Sequence, residues 1–211
     1  MVQDASATSS RKVARFACST PRRALKNSAN MQMLKEKFSA LSASLREQFG
    51  RTNIHETPHI VKVTLNAGLG KGKDSKFADI VADTLKRITG QQPVMTKARK
   101  SVAGFKLREG QVVGSMVTIR GPHMWHFLDK LAHVVFARIR DFRGIPESSV
   151  DKQGNFNYGF TEHTPFPEVR PDEVESLHGL QVTITTTAKN HAEGLALFKG
   201  LGFPFAPTEK K

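Results

Sequence analysis

Apolar positions recur with two different periods along this chain, and the switches between them mark out the elements. Leu34, Phe38, Leu41, Leu45 and Phe49 fall three or four apart, with Asn30 ahead and Gly50 behind, which predicts a capped amphipathic helix. Ile60, Val61, Val63 and Leu65 predict a strand. The turn-rich AGLGKGKDS follows, then a helix with Phe77, Ile80, Val81, Leu85 and Ile88 on one face, stopped by Gly90. Residues 93–96 and 111–120 predict two more strands around a basic loop. Pro122 opens a helix whose Trp125, Leu128, Leu131, Val135 and Ile139 share one side. Residues 156–160 read as a short strand and 171–177 as a short helix. Leu180, Val182 and Ile184 alternate along a strand over 180–187, and Asn190 caps a last helix to about Lys199.

The order α-β-α-β-β-α-β-α-β-α predicts an α+β fold with a largely antiparallel sheet packed with helices. Its middle follows the split β-α-β, ferredoxin-like plan found in RNA-binding proteins, with an added N-terminal helix. Residues 31–205 are expected to form one domain, preceded by a basic extension over 1–30 and followed by a tail over 206–211.

Charge narrows the partner. The 211 residues hold 32 Lys and Arg against 19 Asp and Glu, a net +13, while 38% hydrophobic and 24% charged residues are ordinary globular proportions. Such an excess points to a polyanion, nucleic acid before an anionic membrane. It is unevenly spread: 1–58 carries +6, 59–145 carries +10 and 146–211 carries −3. The middle segment is therefore the expected polyanion-binding part. Cys18 is the single cysteine, which excludes internal disulfides and Cys-based zinc sites and suits a reducing compartment. No apolar run approaches the eighteen or so residues that span a bilayer, so no membrane partner is expected. The first thirty residues set six Arg and Lys against Asp4 alone, among many Ser and Ala. Three readings of them stay open: a transit peptide, an RNA-binding arm, or a start placed ahead of the true one at Met31 or Met33.

Catalytic motifs fare poorly. Gly68-Leu-Gly-Lys-Gly-Lys73 lies between a strand and a helix, as a phosphate loop would, but the glycine spacing is wrong and Asp74 stands where a hydroxyl belongs. Lys71 and Lys73 can still hold an RNA phosphate there. His123 and His126 have no third ligand type nearby, which argues against zinc, and no nucleophile stands beside a general base. Neither a metal nor a cofactor is called for. The loop 96–110 holds Lys97, Arg99, Lys100, Lys106 and Arg108 against Glu109 alone, with Ser101, Gly104 and Phe105 among them. That mixture suits close approach to phosphates and stacking on a base. Arg138, Arg140 and Arg143 form a second basic stretch, which a helix dipole also explains.

Long motifs in one order carry a resemblance. VTLNAGLG at 63–70, ITGQQPVMTKARKSVAGFKLREG at 88–110, VTIRG at 117–121, RIRDFRG at 138–144 and GLQVTITTTAK at 179–189 closely resemble large-subunit ribosomal protein five of the bacterial and organelle type. The likeness runs from about Leu34 to Phe205, ending in FPF. It implies a non-enzymatic protein of the central protuberance that binds 5S ribosomal RNA and large-subunit ribosomal RNA and reaches P-site transfer RNA. It also implies neighbouring 5S-binding ribosomal proteins and a bridge to small-subunit protein thirteen. Matched by motif, Asn66, Gln91 and Thr118 correspond to positions that hydrogen-bond 5S RNA, and Lys62, Lys71, Lys73 and Arg120 accompany them on ribosomal RNA. Lys97, Arg99, Lys100 and Ser101 match the loop facing transfer RNA. The implied setting is a bacterial-type cytoplasmic ribosome, or a mitochondrial or plastid one if residues 1–30 are a transit peptide. GLGKGK is more basic than the usual turn. A nucleotide-dependent enzyme built on that turn and a general RNA chaperone are the alternatives.

Overall fold

The structure is a computed structural model and describes residues 34–70, 75–169 and 177–207. Five strands, β1 (Ile60–Gly68), β2 (Val94–Lys97), β3 (Val112–Ile119), β4 (Phe156–Phe160) and β5 (Leu180–Thr186), form one sheet in the order β2-β3-β1-β5-β4. Every pairing is antiparallel. The helices are α1 (Leu34–Gln48), α2 (Ser75–Thr89), α3 (Pro122–Lys130) and α4 (His191–Leu201). β3 lies between β1 and β2, which α2 connects, and β1 lies between β3 and β5, whose connection runs through α3 and then β4. These are two interlocked split β-α-β units, and β4 is an extra edge strand. The expected α+β class and largely antiparallel sheet are what is observed.

Alternation explains why the sheet has two unlike faces. Val63, Leu65 and Ala67 of β1, Val117 and Ile119 of β3, and Leu180, Val182 and Ile184 of β5 are all buried and form a core with α2, α3 and α4. Phe136 gathers Phe142, Tyr158, Phe160 and Phe203 around it, with ring centroids 5.3 to 6.0 Å away. The C-terminal FPF belongs to this core: Ile145 N–H donates to Pro204 O at 2.8 Å, and Ala206 N–H donates back to Ile145 O at 2.9 Å.

Three local expectations change. Ile80 is 37% exposed, because the buried face of α2 runs through Ala78, Val81, Thr84, Leu85 and Ile88 instead. The helix from Pro122 does not stay regular to Ile139: α3 ends at Lys130 and passes through a π-helical turn, Leu131–Val135, and a 3-10 turn, Phe136–Arg138. The wide turn rotates the buried stripe by a residue, so that Val135 and Phe136 both enter the core. Asn190 stands at the N-cap of α4, but its side chain makes no capping bond; the Glu193 carboxylate accepts the Lys189 N–H at 3.0 Å. The helix expected over 171–177 falls, apart from exposed Leu177, outside the described residues.

Candidate nucleic-acid interface

The second face of the sheet is polar. Alternation sends Lys62, Thr64 and Asn66 of β1 to it, together with Met116 and Thr118 of β3, Asn157 of β4, and Gln181, Thr183 and Thr185 of β5. Register sets them in rows. Met116, Asn66, Gln181 and Gly159 form one row across four strands, and Thr118, Thr64, Thr183 and Asn157 form the next. Asn66 and Gln181 are exposed, and the threonines are half-buried by one another. Thr183 Oγ1 donates to Asn157 Oδ1 at 2.8 Å, which ties β5 to β4 across this face. The face is a fixed array of hydroxyls and carboxamides at strand spacing, with Met116 and exposed Val94 as its apolar border.

The candidate residues separate into two groups. Val63 pairs with Ile119, so Lys62 and exposed Arg120 share one corner with Thr118. Gln91 joins them, because it precedes β2, whose Val94 pairs with Met116. Its main-chain N–H donates to Thr89 Oγ1 at 3.2 Å, which fixes the turn that Gly90 opens at φ 71°. Asn66 lies two pairs further along β1 on the same face. Lys97, Arg99, Lys100 and Ser101 stand at and beyond the far end of β2: Lys97 pairs with Val112, roughly 20 Å along β3 from Thr118 and roughly 14 Å from Met116, the partner of Asn66. Lys71 and Lys73 lie outside the described residues.

The basic loop is an ordered arm. Ala98 exchanges main-chain hydrogen bonds with Gln111 and Gly110, Val102 exchanges two with Leu107, and a 3-10 turn, Ala103–Phe105, closes the tip. Lys106 adopts a left-handed φ of 53° to leave that turn. Ser101 Oγ accepts the Glu109 N–H at 3.0 Å, so its hydroxyl oxygen braces the arm rather than simply awaiting a ligand. Lys97, Arg99, Lys100, Lys106 and Arg108 are all exposed, and Phe105 is 56% exposed at the tip. A rigid cationic arm loses little entropy on meeting a phosphate backbone.

Sequence reasoning followed the apolar phase of β5 and β4 and so passed over Gln181, Thr183, Thr185 and Asn157. Their signal was present in LQVTITT and FNYGF, where every second residue is polar or glycine. His123 and His126 are both exposed. Among the described residues no cluster of His, Cys, Asp and Glu could hold a metal ion. No described helix is long and apolar enough to cross a membrane.

Comparison with known proteins assigns the family. Residues 53–108 match the family model described as ribosomal protein L5, and residues 112–205 match the model for the C-terminus of the same ribosomal family. The large ribosomal subunit protein uL5 of Leifsonia xyli subsp. xyli is 47% identical over 178 residues, covering 83% of this chain and 91% of that protein. The uL5 of Microcystis aeruginosa is 49% identical over 162 residues, 76% of this chain and 90% of its own. The uL5 of Francisella tularensis subsp. novicida is 47% identical over 177 residues, 83% of this chain and 99% of its own. The nucleotide-hydrolysing alternative ends here, since the family is structural. The chain belongs to the uL5 family of large-ribosomal-subunit proteins, a structural, rRNA-binding constituent of the translating ribosome and not an enzyme.

Proposed function

We propose that the polar face of the sheet binds 5S ribosomal RNA, with Asn66, Gln91 and Thr118 as recognition residues and Lys62 and Arg120 gripping phosphates beside them. The observation that carries this is the register: it lays Asn66, Thr118 and their neighbours side by side on an open face, where short polar side chains can meet ribose hydroxyls and exposed base edges. Lys71 and Lys73, next in sequence to β1, extend the cationic contact. The arm carrying Lys97, Arg99, Lys100 and Ser101 reaches transfer RNA in the P site, and the remaining cations touch large-subunit ribosomal RNA. We expect the acidic side chains of the C-terminal third, Glu162 and Glu168 among the described residues, to face away from RNA, towards neighbouring proteins and small-subunit protein thirteen. Residues 31–205 act as one domain, with 1–30 as a separate basic extension and 206–211 as a tail.

The test is a chain in which Asn66, Gln91 and Thr118 are all replaced by Ala. It should fold, bind 5S RNA more weakly, and lose preference over unrelated RNA, because polar groups left without partners in a desolvated interface cost about 1–3 kcal/mol each. A folded variant with its preference intact removes these residues from the recognition site.

A further inference from the structure

The polar face contains a shallow open depression of about 500 Å³ bounded by Asn66, Gly68, Asn157, Gly159, Gly179 and Gln181. Tyr158, Phe160 and Leu180 complete its lining, and Gly68, Gly159 and Gly179 bring no side chain to fill it. Glycine inside a strand ordinarily marks a bulge, a bend, a left-handed residue, or a place where something approaches the main chain closely. For Gly68 and Gly159 the first three explanations fail. Both lie in uninterrupted register, Gly68 opposite Gly114 and Gly159 opposite Gln181. Neither has a φ in the left-handed range. A Cβ built on either meets no heavy atom of the described residues within 4 Å. Gly114 behaves differently: its Cβ would stand 2.9 Å from Ala67 O, so the sheet itself requires that glycine.

We propose that Gly68 and Gly159 are steric windows for the RNA, and that the depression they floor takes a ribose-phosphate segment laid against the bare main chain. This rests on the reading of the polar face as the 5S site and adds a subsite and two determinants to it. The rim fits that ligand. The side chains of Asn66 and Gln181 make no hydrogen bond with other described residues, and their carboxamides offer both donors and acceptors, as a ribose 2′-hydroxyl and a phosphate oxygen need. No carboxylate lines the depression to repel a phosphate. Asn66, Gln181 and Gly159 lie in one lateral row, so the strand spacing sets Gly159 roughly 10 Å from Asn66, within the reach of two successive nucleotides.

The two roles of glycine predict opposite signs. In a strand with open space alongside, alanine is at least as compatible with the fold as glycine and lowers the entropy of the unfolded chain. Gly68→Ala, Gly159→Ala and Gly159→Val, made in the full chain, should therefore melt at or above the wild-type temperature. Against a 5S RNA transcript, each alanine should weaken binding by roughly tenfold, and valine by more, as the added volume lifts the RNA off the main chain. Folded glycine variants with wild-type affinity, beside an Asn66, Gln91 and Thr118 variant that loses binding, overturn the windows and leave the 5S reading standing. Gly159→Ala chains that fail to fold also overturn the proposal, because the glycine then serves the sheet. A wild-type chain without preference for 5S RNA removes the reading beneath it.

Discussion

Asp129 on α3 accepts the main-chain N–H of Leu34 at 2.9 Å, across 95 residues of sequence. Leu34 opens α1 and is fully buried, so the carboxylate satisfies one of the unpaired donors at that helix start while Phe38 packs on Trp125 with ring centroids 5.5 Å apart. A carboxylate there also suits the positive end of the helix dipole. Asp129→Ala should lower stability by about 1–2 kcal/mol, measured by urea unfolding, and Asp129→Asn should recover part of it through its carbonyl. Equal losses in both variants would assign the effect to charge alone.

A second long-range lock gives the fold an acid limit. Arg51, just after α1, bonds Glu56 and also reaches Glu193 Oε1 at 2.9 Å, and Lys189 Nζ donates to Glu56 Oε1 at 3.2 Å. The Lys189 hydrogen bond and the Arg51 charge hold the Glu56 carboxyl below its ordinary value. Burial pushes Glu193 upward, but the Lys189 N–H, the Arg51 hydrogen bond and the nearby positive charges outweigh it, so Glu193 is also lowered. A carboxyl lowered in the folded state adds stability above its unfolded pKa of about 4.3, and that stability is lost as pH falls through the folded value. Thermal unfolding from pH 7 to pH 3 should show this loss, with a smaller slope for Glu193→Gln. An unchanged slope would remove the lock from the acid response.

Close backbone contact makes a different demand on Gly154. It holds φ 78°, and a Cβ there would stand 2.5 Å from Ala188 Cβ, while one on Gly194 would stand 2.6 Å from Gly154 Cα. Gly154→Ala should cost roughly 2–4 kcal/mol in denaturant unfolding, through left-handed strain and overpacking together. A loss below about 0.5 kcal/mol would show that this turn can shift freely.

The arm should contribute charge and little selectivity. Replacing Lys97, Arg99 and Lys100 with Ala should reduce the salt dependence of transfer-RNA binding by about 0.7 in the log–log slope for each lost phosphate contact. Preference for 5S RNA should stay as it was, since the arm cations grip phosphates without reading sequence and the arm extends past the Val112 end of β3, beyond the row of Asn66 and Met116. A collapse of 5S preference in this variant would join the two surfaces into one site.

The sheet and its helices were legible because apolar periodicity is a direct record of burial, as in Leu180, Val182 and Ile184 of β5 or Leu34 and Leu45 of α1. Contacts made by distant residues left no such record: neither Asp129 at the start of α1 nor Glu193 bonding ahead of α4 follows from local spacing. The π-helical turn after Lys130 was hidden because Leu128, Leu131 and Val135 fit an ordinary helix equally well, and only the burial of Phe136 betrays the shift. Of the candidate interface, Asn66 and Thr118 were proposed from motifs and the arm cations from the local density of Lys and Arg. Gln181, Thr183 and Asn157 needed the strand register, which brings them beside Asn66 and Thr64 from β5 and β4.

We take the open polar sheet face to select 5S RNA instead of simply collecting polyanions. Competition between a 5S RNA transcript and an unrelated folded RNA of equal length, across rising salt, tests it most directly, because counterion release weakens phosphate contacts on both RNAs alike. The 5S transcript should keep its advantage, and the ratio of the two affinities should hold or grow as salt suppresses the shared electrostatic part. Two affinities that converge and fall together would contradict it and make the chain a general RNA binder.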